Sequence, residues 1–330
     1  MTTPPIEIIY KRADGLDIYM DVYIPTKASK ESPSSVLLWW HGKSLSSKSS
    51  VAPDGSGMLK AEACFRGLEK VTEILPRAKQ NAPEKHNLCV VSADYRLAPQ
   101  TRIPGILEDC SDAMDFLHSA SFAEKTGNRV DPSKLVVSGS SAGGWLSLLA
   151  GTGIGFRACG LPAPRPVQGI VAIYPITDLL DPFWKTKQRP VSYMDRVIDF
   201  TEVQSFVDPA SPKTSSAALD GKRSIFYHYM VQEAILSSLL LDDTGIKEDN
   251  FSVAAGLRLK KGNPISPIYI VTGNSDGKVP HVQSMDVVLA LKEIGEQVEY
   301  EELEGLDHGF DREAKYTMDG LYRFVEKVFR

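Results

Sequence analysis

The sequence predicts an α/β fold in which an eight-stranded, mostly parallel sheet is sandwiched by helices, with a helical segment inserted after the sixth strand. Three observations support this prediction. Short runs of almost continuously apolar residues recur along the chain, most of them are followed by a loop and a helical pattern, and the first two runs flank a turn signal. Strands that are apolar along their whole length are buried on both faces, which is typical of a parallel sheet covered by helices.

The predicted strands begin with a hairpin. Residues 6–12 and 17–24 are rich in β-forming residues on either side of Ala13-Asp14-Gly15, so they are expected to pair antiparallel. The other strands are predicted at residues 35–40, 88–93, 134–139, 169–174, 267–273 and 298–303. Helical patterns are found at residues 68–79, 105–119, 143–150, 281–294 and 314–329.

One long segment interrupts this alternation. Residues 177–264 contain several prolines and many bulky apolar side chains. A structureless loop of that length is uncommon in a compact domain, so the segment is predicted to form a small helical subdomain that acts as a lid. Residues 1–176 and 265–330 then form the core that contains the sheet.

Composition indicates a globular protein that acts on a small molecule. The 330 residues are 42% hydrophobic and 24% charged, and the formal net charge at pH 7 is −5. Acids and bases are interspersed, which argues against a nucleic-acid-binding surface, and no apolar run reaches the roughly 18 residues that span a bilayer. The start of the chain lacks the pattern of a secretory leader, so a cytoplasmic location is expected. A homodimer is compatible with the sequence, which carries no signal for one.

The cysteines predict neither a metal site nor a disulfide framework. They are widely spaced, without a C-x-x-C pair or a histidine-rich neighbourhood. Buried free thiols in a reducing compartment are therefore expected. The four residues are Cys64, Cys89, Cys110 and Cys159.

A doubled serine marks the candidate nucleophile. The segment Gly139-Ser140-Ser141-Ala142-Gly143 matches G-x-S-x-G, with an apolar strand before it and a helical pattern after it. The register selects Ser141, because the central residue of so tight a turn is strained and its neighbours two positions away must be almost free of side chain. Ser140 is then structural. The alternative is a serine- and glycine-rich turn without chemistry.

A serine nucleophile needs a base, and the base needs an acid that orients it. Of the six histidines, His308 follows the last predicted strand and precedes the last helix. Asp276 follows the seventh strand, so Ser141, Asp276 and His308 occur in the order serine, acid, histidine. The alternative role for Asp276 is a turn residue before Gly277. Asp307, which lies beside the histidine, is a poorer candidate for the acid.

With these residues the chain resembles the α/β-hydrolase superfamily and, more narrowly, the hormone-sensitive-lipase-type esterases. Residues 90–117, with DYRLAP (94–99) at their core, are similar to the segment after that family's fourth strand. The resemblance implies hydrolysis of carboxylic esters without a metal or an organic cofactor. It also implies that Asp94 and Arg96 are structural and hold the loop near the nucleophile. The whole pattern is most similar to hydrolases that tailor natural products.

The loop expected to form the oxyanion hole departs from the family. The family carries His-Gly-Gly-Gly, whereas this chain has His41-Gly42-Lys43-Ser44. The expected donors are the backbone N–H groups of Ala142, Gly42, Lys43 and Ser44. Lysine and serine resist the positive φ angles that glycine adopts, so an altered geometry is expected. Lys43 is either a solvated surface residue or a cation for a carboxylate-bearing substrate.

The acid loop and the start of the chain also depart from the family. The acid loop NSDGKVP (274–280) is more similar to that of general hydrolases and peptidases. The chain enters its first hairpin almost at once, which leaves the lid role to residues 177–264. The aromatic insert is expected to line an apolar substrate pocket. The candidate pocket residues are Trp184, Tyr193, Phe226 and Tyr229.

Together these residues predict a serine hydrolase that cleaves a carboxylic ester of a small, fairly apolar molecule through an acyl-enzyme. Ser141 would attack the carbonyl, His308 would take its proton and Asp276 would orient the imidazole. A thioesterase, a lactonase, or an acyl transferase or cyclase with the same triad is an open alternative, because pocket shape sets specificity. A non-catalytic ligand receptor on a hydrolase scaffold is another, although the retained triad argues against it. Peptidase activity is suggested only by the type of acid loop.

Overall fold

A computed structural model describes residues 4–42, 82–215, 222–313 and 315–330. One eight-stranded sheet forms the centre of this part of the chain. Its strands are β1 (Ile6–Ala13), β2 (Leu16–Tyr23), β3 (Ser34–Trp40), β4 (Leu88–Ala93), β5 (Val130–Ser140), β6 (Gly169–Ile173), β7 (Ile268–Gly273) and β8 (Val298–Leu303).

The predicted eight-stranded, mostly parallel sheet is confirmed. Its strands lie in the order β1-β2-β4-β3-β5-β6-β7-β8. β2 runs antiparallel to both β1 and β4, and the remaining neighbours are parallel. The carboxyl ends of β5, β6, β7 and β8 therefore lie side by side at one edge of the sheet.

Helices cover both faces of this sheet. Successive residues of β3 alternate between two buried clusters: Leu38 and Trp40 pack into one, and Leu37 and Trp39 into the other. This double burial is what the continuous apolar runs predict. The helices of the described residues are α1 (Ala82–His86), α2 (Ile103–Leu117), α3 (Ala120–Lys125), α4 (Ala142–Thr152), α5 (Pro182–Lys185), α6 (Gln204–Val207), α7 (Lys222–Glu233), α8 (Leu236–Leu241), α9 (Val253–Leu259), α10 (Val282–Ile294) and α11 (Asp319–Val328). Short 3-10 helices are formed by Phe200–Glu202, Glu248–Phe251 and Phe310–Arg312.

The last helix is shorter than predicted. The periodicity predicts a helix over residues 314–329, whereas α11 begins at Asp319. Met318 precedes it in the left-handed conformation, with φ at 60°, which an α-helix does not accommodate. Further upstream, Phe310 begins a short 3-10 helix two residues after His308. The helix predicted at residues 68–79 lies outside the described residues.

The segment between β6 and β7 contains α5 to α9 and is fastened to α10 at both ends. The backbone N–H of Thr177 donates to Oε1 of Gln283 (3.0 Å), and the Thr177 hydroxyl donates to the Gln283 carbonyl oxygen (2.9 Å). The N–H of Val253, at the start of α9, donates to the Thr177 carbonyl oxygen (2.9 Å). α9 then packs against α10 and α4. The end of this segment therefore belongs to the helical layer that covers the sheet.

A buried ionic cluster joins α2 to the first hairpin. Arg96 binds Asp109 (2.7 Å), Asp14 (2.6 Å) and Glu108 (2.8 Å). Lys11 lies 2.8 Å from the same Asp109, whose side chain has 0% exposure. Because a buried charge is costly unless it is paired, Asp109 depends on these two cations.

The described cysteines are free, as predicted. Cys89 and Cys110 are buried and Cys159 is half-buried. Burial raises the pKa of the Cys159 thiol to about 12. Cys64 lies outside the described residues. Within those residues, every helix is too short or too polar to cross a lipid bilayer.

Arg96→Met is expected to lower the free energy of unfolding by about 3 kcal/mol, because it leaves the buried Asp109 carboxylate with one cation fewer. Urea unfolding followed by circular dichroism measures the change. Arg165→Met is the matched control, since the side chains of Arg165 and Asp115 are 50% and 53% exposed. Such exposed pairs contribute about 0–1 kcal/mol. Equal losses in the two variants would contradict the importance assigned to the buried cluster.

Candidate active site

Ser141 lies in a sharp turn between β5 and α4. Its φ and ψ are 55° and −122°, in a region that non-glycine residues rarely adopt. The turn is held from the neighbouring strand, because the Ser141 N–H donates to the Ile173 carbonyl oxygen at the end of β6 (2.9 Å). Ser140 is still part of β5, and its side chain hydrogen-bonds to Tyr174. The two serines thus differ in conformation: Ser141 occupies the strained turn position and Ser140 lies within β5.

The glycines of the turn are required by backbone packing. A Cβ atom on Gly139 would lie 2.3 Å from the carbonyl oxygen of Gly143. One on Gly143 would lie 2.0 Å from the carbonyl oxygen of Trp40, at the end of β3. Both contacts are with backbone, which cannot swing aside as a side chain can. The close packing of the turn between β5 and α4, on itself and on the end of β3, therefore explains the glycines on either side of Ser141.

Asp276 and His308 form a hydrogen-bonded pair. Nδ1 of His308 lies 2.7 Å from Oδ2 of Asp276, and the two side chains are 2% and 0% exposed. A carboxylate only accepts hydrogen bonds, so this contact assigns the proton to Nδ1 and leaves Nε2 as an acceptor. Oδ1 of Asp276 accepts the backbone N–H groups of Lys278 (2.8 Å) and Val279 (2.9 Å). Asp276 therefore stabilises its own turn as well as the imidazole.

Asp307 links the acid loop to the histidine loop. Its Oδ1 accepts the backbone N–H of Gly277 (2.9 Å) and that of His308 (2.7 Å). Burial opposes the charged form, but these two N–H donors hold the pKa of Asp307 below its ordinary value. Gly273 and Leu306 also meet closely, since a Cβ on Gly273 would lie 2.2 Å from the Leu306 carbonyl oxygen. The sequence named Asp307 only as a poorer candidate for the acid, because its role depends on a contact between loops.

Tyr174 connects the serine side of the site to the histidine side. It follows Ile173, which accepts the Ser141 N–H, and its own N–H donates to the Val271 carbonyl oxygen (2.7 Å). Its ring centroid lies 4.3 Å from that of His308. The structure thus pairs Asp276 with His308 directly and joins Ser141 to this pair through Ile173 and Tyr174. No local sequence pattern pointed to Tyr174.

The predicted oxyanion donors are partly described. A Cβ on Gly42 would lie 2.3 Å from the Ser140 carbonyl oxygen, so only glycine lets the β3 loop approach the serine turn this closely. The N–H of Ala142 belongs to the first turn of α4, where N–H groups have no acceptor within the helix. Lys43 and Ser44 lie outside the described residues.

The DYRLAP segment supports the start of this loop. The Tyr95 hydroxyl donates to the His41 carbonyl oxygen (2.7 Å), and the two rings stack with centroids 4.8 Å apart. Nε2 of His41 lies 3.6 Å from Oδ1 of Asp94. Arg96 points instead into the ionic cluster around Asp109. Asp94 and Arg96 both make structural contacts. Asp94 contacts His41 at the end of β3, whereas Arg96 joins α2 to the first hairpin.

Of the four candidate pocket residues, Tyr193 lies against the acid loop. Lys278 Nζ is 5.5 Å from the centroid of the Tyr193 ring, and Nδ1 of His228 is 3.3 Å from the Tyr193 hydroxyl. The Tyr227 hydroxyl donates to the Lys278 carbonyl oxygen (3.0 Å). Burial, together with the charge of Lys278, lowers the pKa of His228 to about 4, so its imidazole is neutral at pH 7. Tyr227 and His228 were missed from the sequence, where they are two aromatic residues among many.

The other three candidates have their ring contacts within the insert. Trp184 is 1% exposed and packs edge-on against Phe183. Phe226 stacks on Phe206 with centroids 6.2 Å apart, and Tyr229 faces Phe200 at the same distance.

Comparisons with known proteins identify the fold of the chain. A family model described as alpha/beta hydrolase fold matches residues 78–312. In solved structures, the chain is similar to esterase 2 of the planctomycete Thermogutta terrifontis, with a TM-score of 0.58 and 16% identity over 98% of this chain and 92% of that one. At that identity the likeness shows the fold alone.

Similar curated proteins include large synthases. A non-reducing polyketide synthase, pkbA of Emericella nidulans, is 26% identical over 92% of this chain and 13% of its own length. Methylphloroacetophenone synthase of Cladonia uncialis is 24% identical over 93% of this chain and 12% of its own. Tuliposide B-converting enzyme 1 of Tulipa gesneriana is 27% identical over 49% of this chain and 33% of its own. The chain thus spans about an eighth of the length of the synthases that it matches.

Gly143→Ala is expected to lower the free energy of unfolding by about 2–3 kcal/mol, because the added methyl group would overlap the Trp40 backbone. Thermal or urea unfolding measures this loss. Gly277→Ala is the matched control within the site, since its nearest contact would be an ordinary 3.7 Å to the Tyr193 ring. A Gly143→Ala variant as stable as this control would show that the serine turn is not held by the close backbone contact.

Proposed function

The chain belongs to the alpha/beta-hydrolase fold family, and from this membership we propose that it is a serine hydrolase that cleaves a carboxylic ester of a small, fairly apolar molecule. The catalytic residues are Ser141, His308 and Asp276. The observation that carries the proposal is the 2.7 Å hydrogen bond between Asp276 and His308, at the edge of the sheet where the strained Ser141 turn also lies. A buried aspartate that fixes one imidazole nitrogen leaves the other to act as a base.

In the proposed mechanism the Ser141 hydroxyl oxygen attacks the ester carbonyl carbon while Nε2 of His308 takes the hydroxyl proton. The imidazolium that forms is stabilised by the carboxylate of Asp276. The tetrahedral intermediate collapses, His308 protonates the departing alcohol oxygen and the acyl group stays on Ser141. Water then attacks the acyl-enzyme by the same steps and releases a carboxylic acid.

The negative charge of the tetrahedral intermediate is proposed to lie between the serine turn and the β3 loop. The N–H of Ala142 and that of Gly42 are the described donors, and the sequence adds those of Lys43 and Ser44. Each well-placed donor is worth about 3 kcal/mol of transition-state stabilisation. The Ala142 donor also lies at the N-terminus of α4, where the helix dipole favours an anion.

The lid is proposed to be the part of residues 177–264 that precedes α9. The contacts of Tyr193 and Tyr227 with Lys278 support this, because they lay the insert against the loop that holds Asp276. Such a cover would exclude water while the acyl-enzyme forms. Trp184, Phe226 and Tyr229 remain proposed as lining residues on the side of the insert.

The proposed hydrolysis is tested with p-nitrophenyl acetate and a fluorophosphonate probe. Ser141→Ala is expected to abolish labelling, and Asp276→Asn to lower kcat by about 10⁴-fold, because the amide places a donor against Nδ1 and disfavours the required tautomer. Asp307→Asn is the matched control, since its amide oxygen still accepts both backbone N–H groups, and activity close to that of the unmodified protein is expected. Unchanged labelling of Ser141→Ala would refute the proposal.

A thioester is the second candidate substrate. The similarity to polyketide synthases over more than nine-tenths of this chain favours a reaction on an acyl group carried as a thioester. The same triad would serve, with a thiol instead of an alcohol as the leaving group. Water or a second hydroxyl would then accept the acyl group.

The two substrate classes are distinguished with matched acyl groups. If thioesters are the substrate, kcat/KM for an N-acetylcysteamine thioester of an aromatic acid is expected to exceed that for the corresponding ethyl ester by about 100-fold or more, well beyond the difference measured for their reaction with hydroxide. Mass spectrometry of the products identifies the acceptor. A ratio equal to the hydroxide ratio would leave the carboxylic ester as the proposed substrate.

A further inference from the structure

A buried tyrosine and a buried aspartate lie behind the candidate base. The Tyr174 hydroxyl donates to Oδ1 of Asp311, and both residues are almost completely inaccessible to solvent. Burial, and then the charge of Asp311, raises the pKa of Tyr174 well above its ordinary value, so the phenol stays protonated and acts as the donor. The ring of Tyr174 lies 4.3 Å from that of His308 and 5.4 Å from that of Phe310.

This arrangement is costly for the fold. Oδ2 of Asp311 has no hydrogen-bond partner among the described residues. A buried carboxylate with so little compensation costs more than an asparagine or a leucine in the same place. The backbone of Tyr174 is also strained, with φ at 37°. Costly local features of this kind occur where function requires them.

We propose that Tyr174, held by Asp311, is a positioning residue that fixes the imidazole of His308 and stabilises its protonated form during acyl transfer. The inference rests on the proposed function. The ring of a tyrosine attracts a cation within about 6 Å of its centroid, and more strongly when water is excluded. A phenol that donates to a carboxylate carries more electron density in its ring, which strengthens this attraction for the imidazolium.

The same contact restrains the position of the imidazole. Nδ1 is fixed by Asp276, but a single hydrogen bond leaves rotation about that bond free. The Tyr174 ring, tilted 50° against the imidazole, limits this rotation from the side of β6. Because Tyr174 follows the residue that accepts the Ser141 N–H, it holds the base in register with the nucleophile.

Other charged groups also face His308, and the test has to separate them. Asp276 and Asp307 contact it from the acid and histidine loops. Lys278 acts on Asp307, and Arg312 acts on Tyr174 from the turn that contains Asp311. Tyr174→Phe removes the hydrogen bond to Asp311, together with the contact to Ser140, without altering these other charges or the ring that touches the imidazole.

The test uses Tyr174→Phe and Asp311→Asn in the full chain, with kcat and KM measured across the pH range and the active sites counted with a fluorophosphonate probe. Tyr174→Phe keeps the ring and is expected to lower kcat about 10-fold with little change in KM. The acid limb of the kcat/KM profile is expected to move to lower pH by about 0.5 unit, because a less stabilised imidazolium loses its proton at lower pH. Asp311→Asn retains an acceptor for the phenol and is expected to shift both quantities in the same direction by less.

Tyr269→Phe is the matched control. Tyr269 is also buried and also donates its hydroxyl to a carboxylate, that of Glu301, but it lies in the interior of the sheet on β7. It is expected to leave kcat and the acid limb unchanged. If all three variants lose stability alike and retain the original pH profile, the role of Tyr174 is purely structural and the proposal is wrong. If Tyr174→Phe does not fold, the profile of Asp311→Asn decides.

A readout without turnover separates this inference from the proposed function. The proton on Nδ1 of His308, bonded to Asp276, gives a downfield resonance in proton NMR. Its position and its pH dependence are expected to change in Tyr174→Phe and not in Tyr269→Phe. A change in this resonance with an inactive unmodified protein would refute the hydrolysis but keep the positioning, whereas an unchanged resonance with an active protein would refute the positioning alone.

Discussion

The site depends on one backbone contact, the close approach of the first turn of α4 to the carboxyl end of β3. A methyl group on Gly143 would lie 2.0 Å from the Trp40 carbonyl oxygen, so the chain that leaves β5 has almost no freedom. The Ser141 N–H is fixed to Ile173 on the opposite side (2.9 Å). A residue at φ 55° costs about 1–3 kcal/mol, and the surrounding sheet supplies the contacts that maintain it. The sheet therefore fixes the backbone of the Ser141 turn.

The acid and histidine loops are joined by more contacts than their catalytic hydrogen bond. Asp307 accepts N–H groups from both loops, and Oδ1 of Asn274 accepts the Gly305 N–H (2.8 Å). Gly273 allows β7 to pass beside the Leu306 carbonyl oxygen. The position of the His308 backbone thus does not depend on the Asp276 carboxylate alone. Asp276 supports its own turn, whereas Asp307 and Asn274 hold the two loops together.

The sheet and the three candidate catalytic residues could be predicted from the sequence because both follow from local patterns. Apolar runs give the strands, and residues that follow neighbouring parallel strands meet at the same edge. The contacts of Tyr174 and Asp311 could not be predicted, since they join segments 137 residues apart and each residue is unremarkable in its own segment. Which of the four candidate aromatic residues of the insert approaches the acid loop could not be predicted either. Aromatic composition predicts burial but not the cavity that a ring faces, so Tyr193 lies at the acid loop while Phe226 stacks inside the insert.

The insert is connected to the acid loop by hydrogen bonds. The Tyr227 hydroxyl binds the Lys278 carbonyl oxygen, and the Lys278 N–H is in turn bound by Asp276. Two hydrogen bonds therefore link the insert to the carboxylate that pairs with His308. The N–H of Ala142 belongs instead to the first turn of α4, directly after the Ser141 turn. Different parts of the fold therefore hold the acid loop and the turn that contains Ser141.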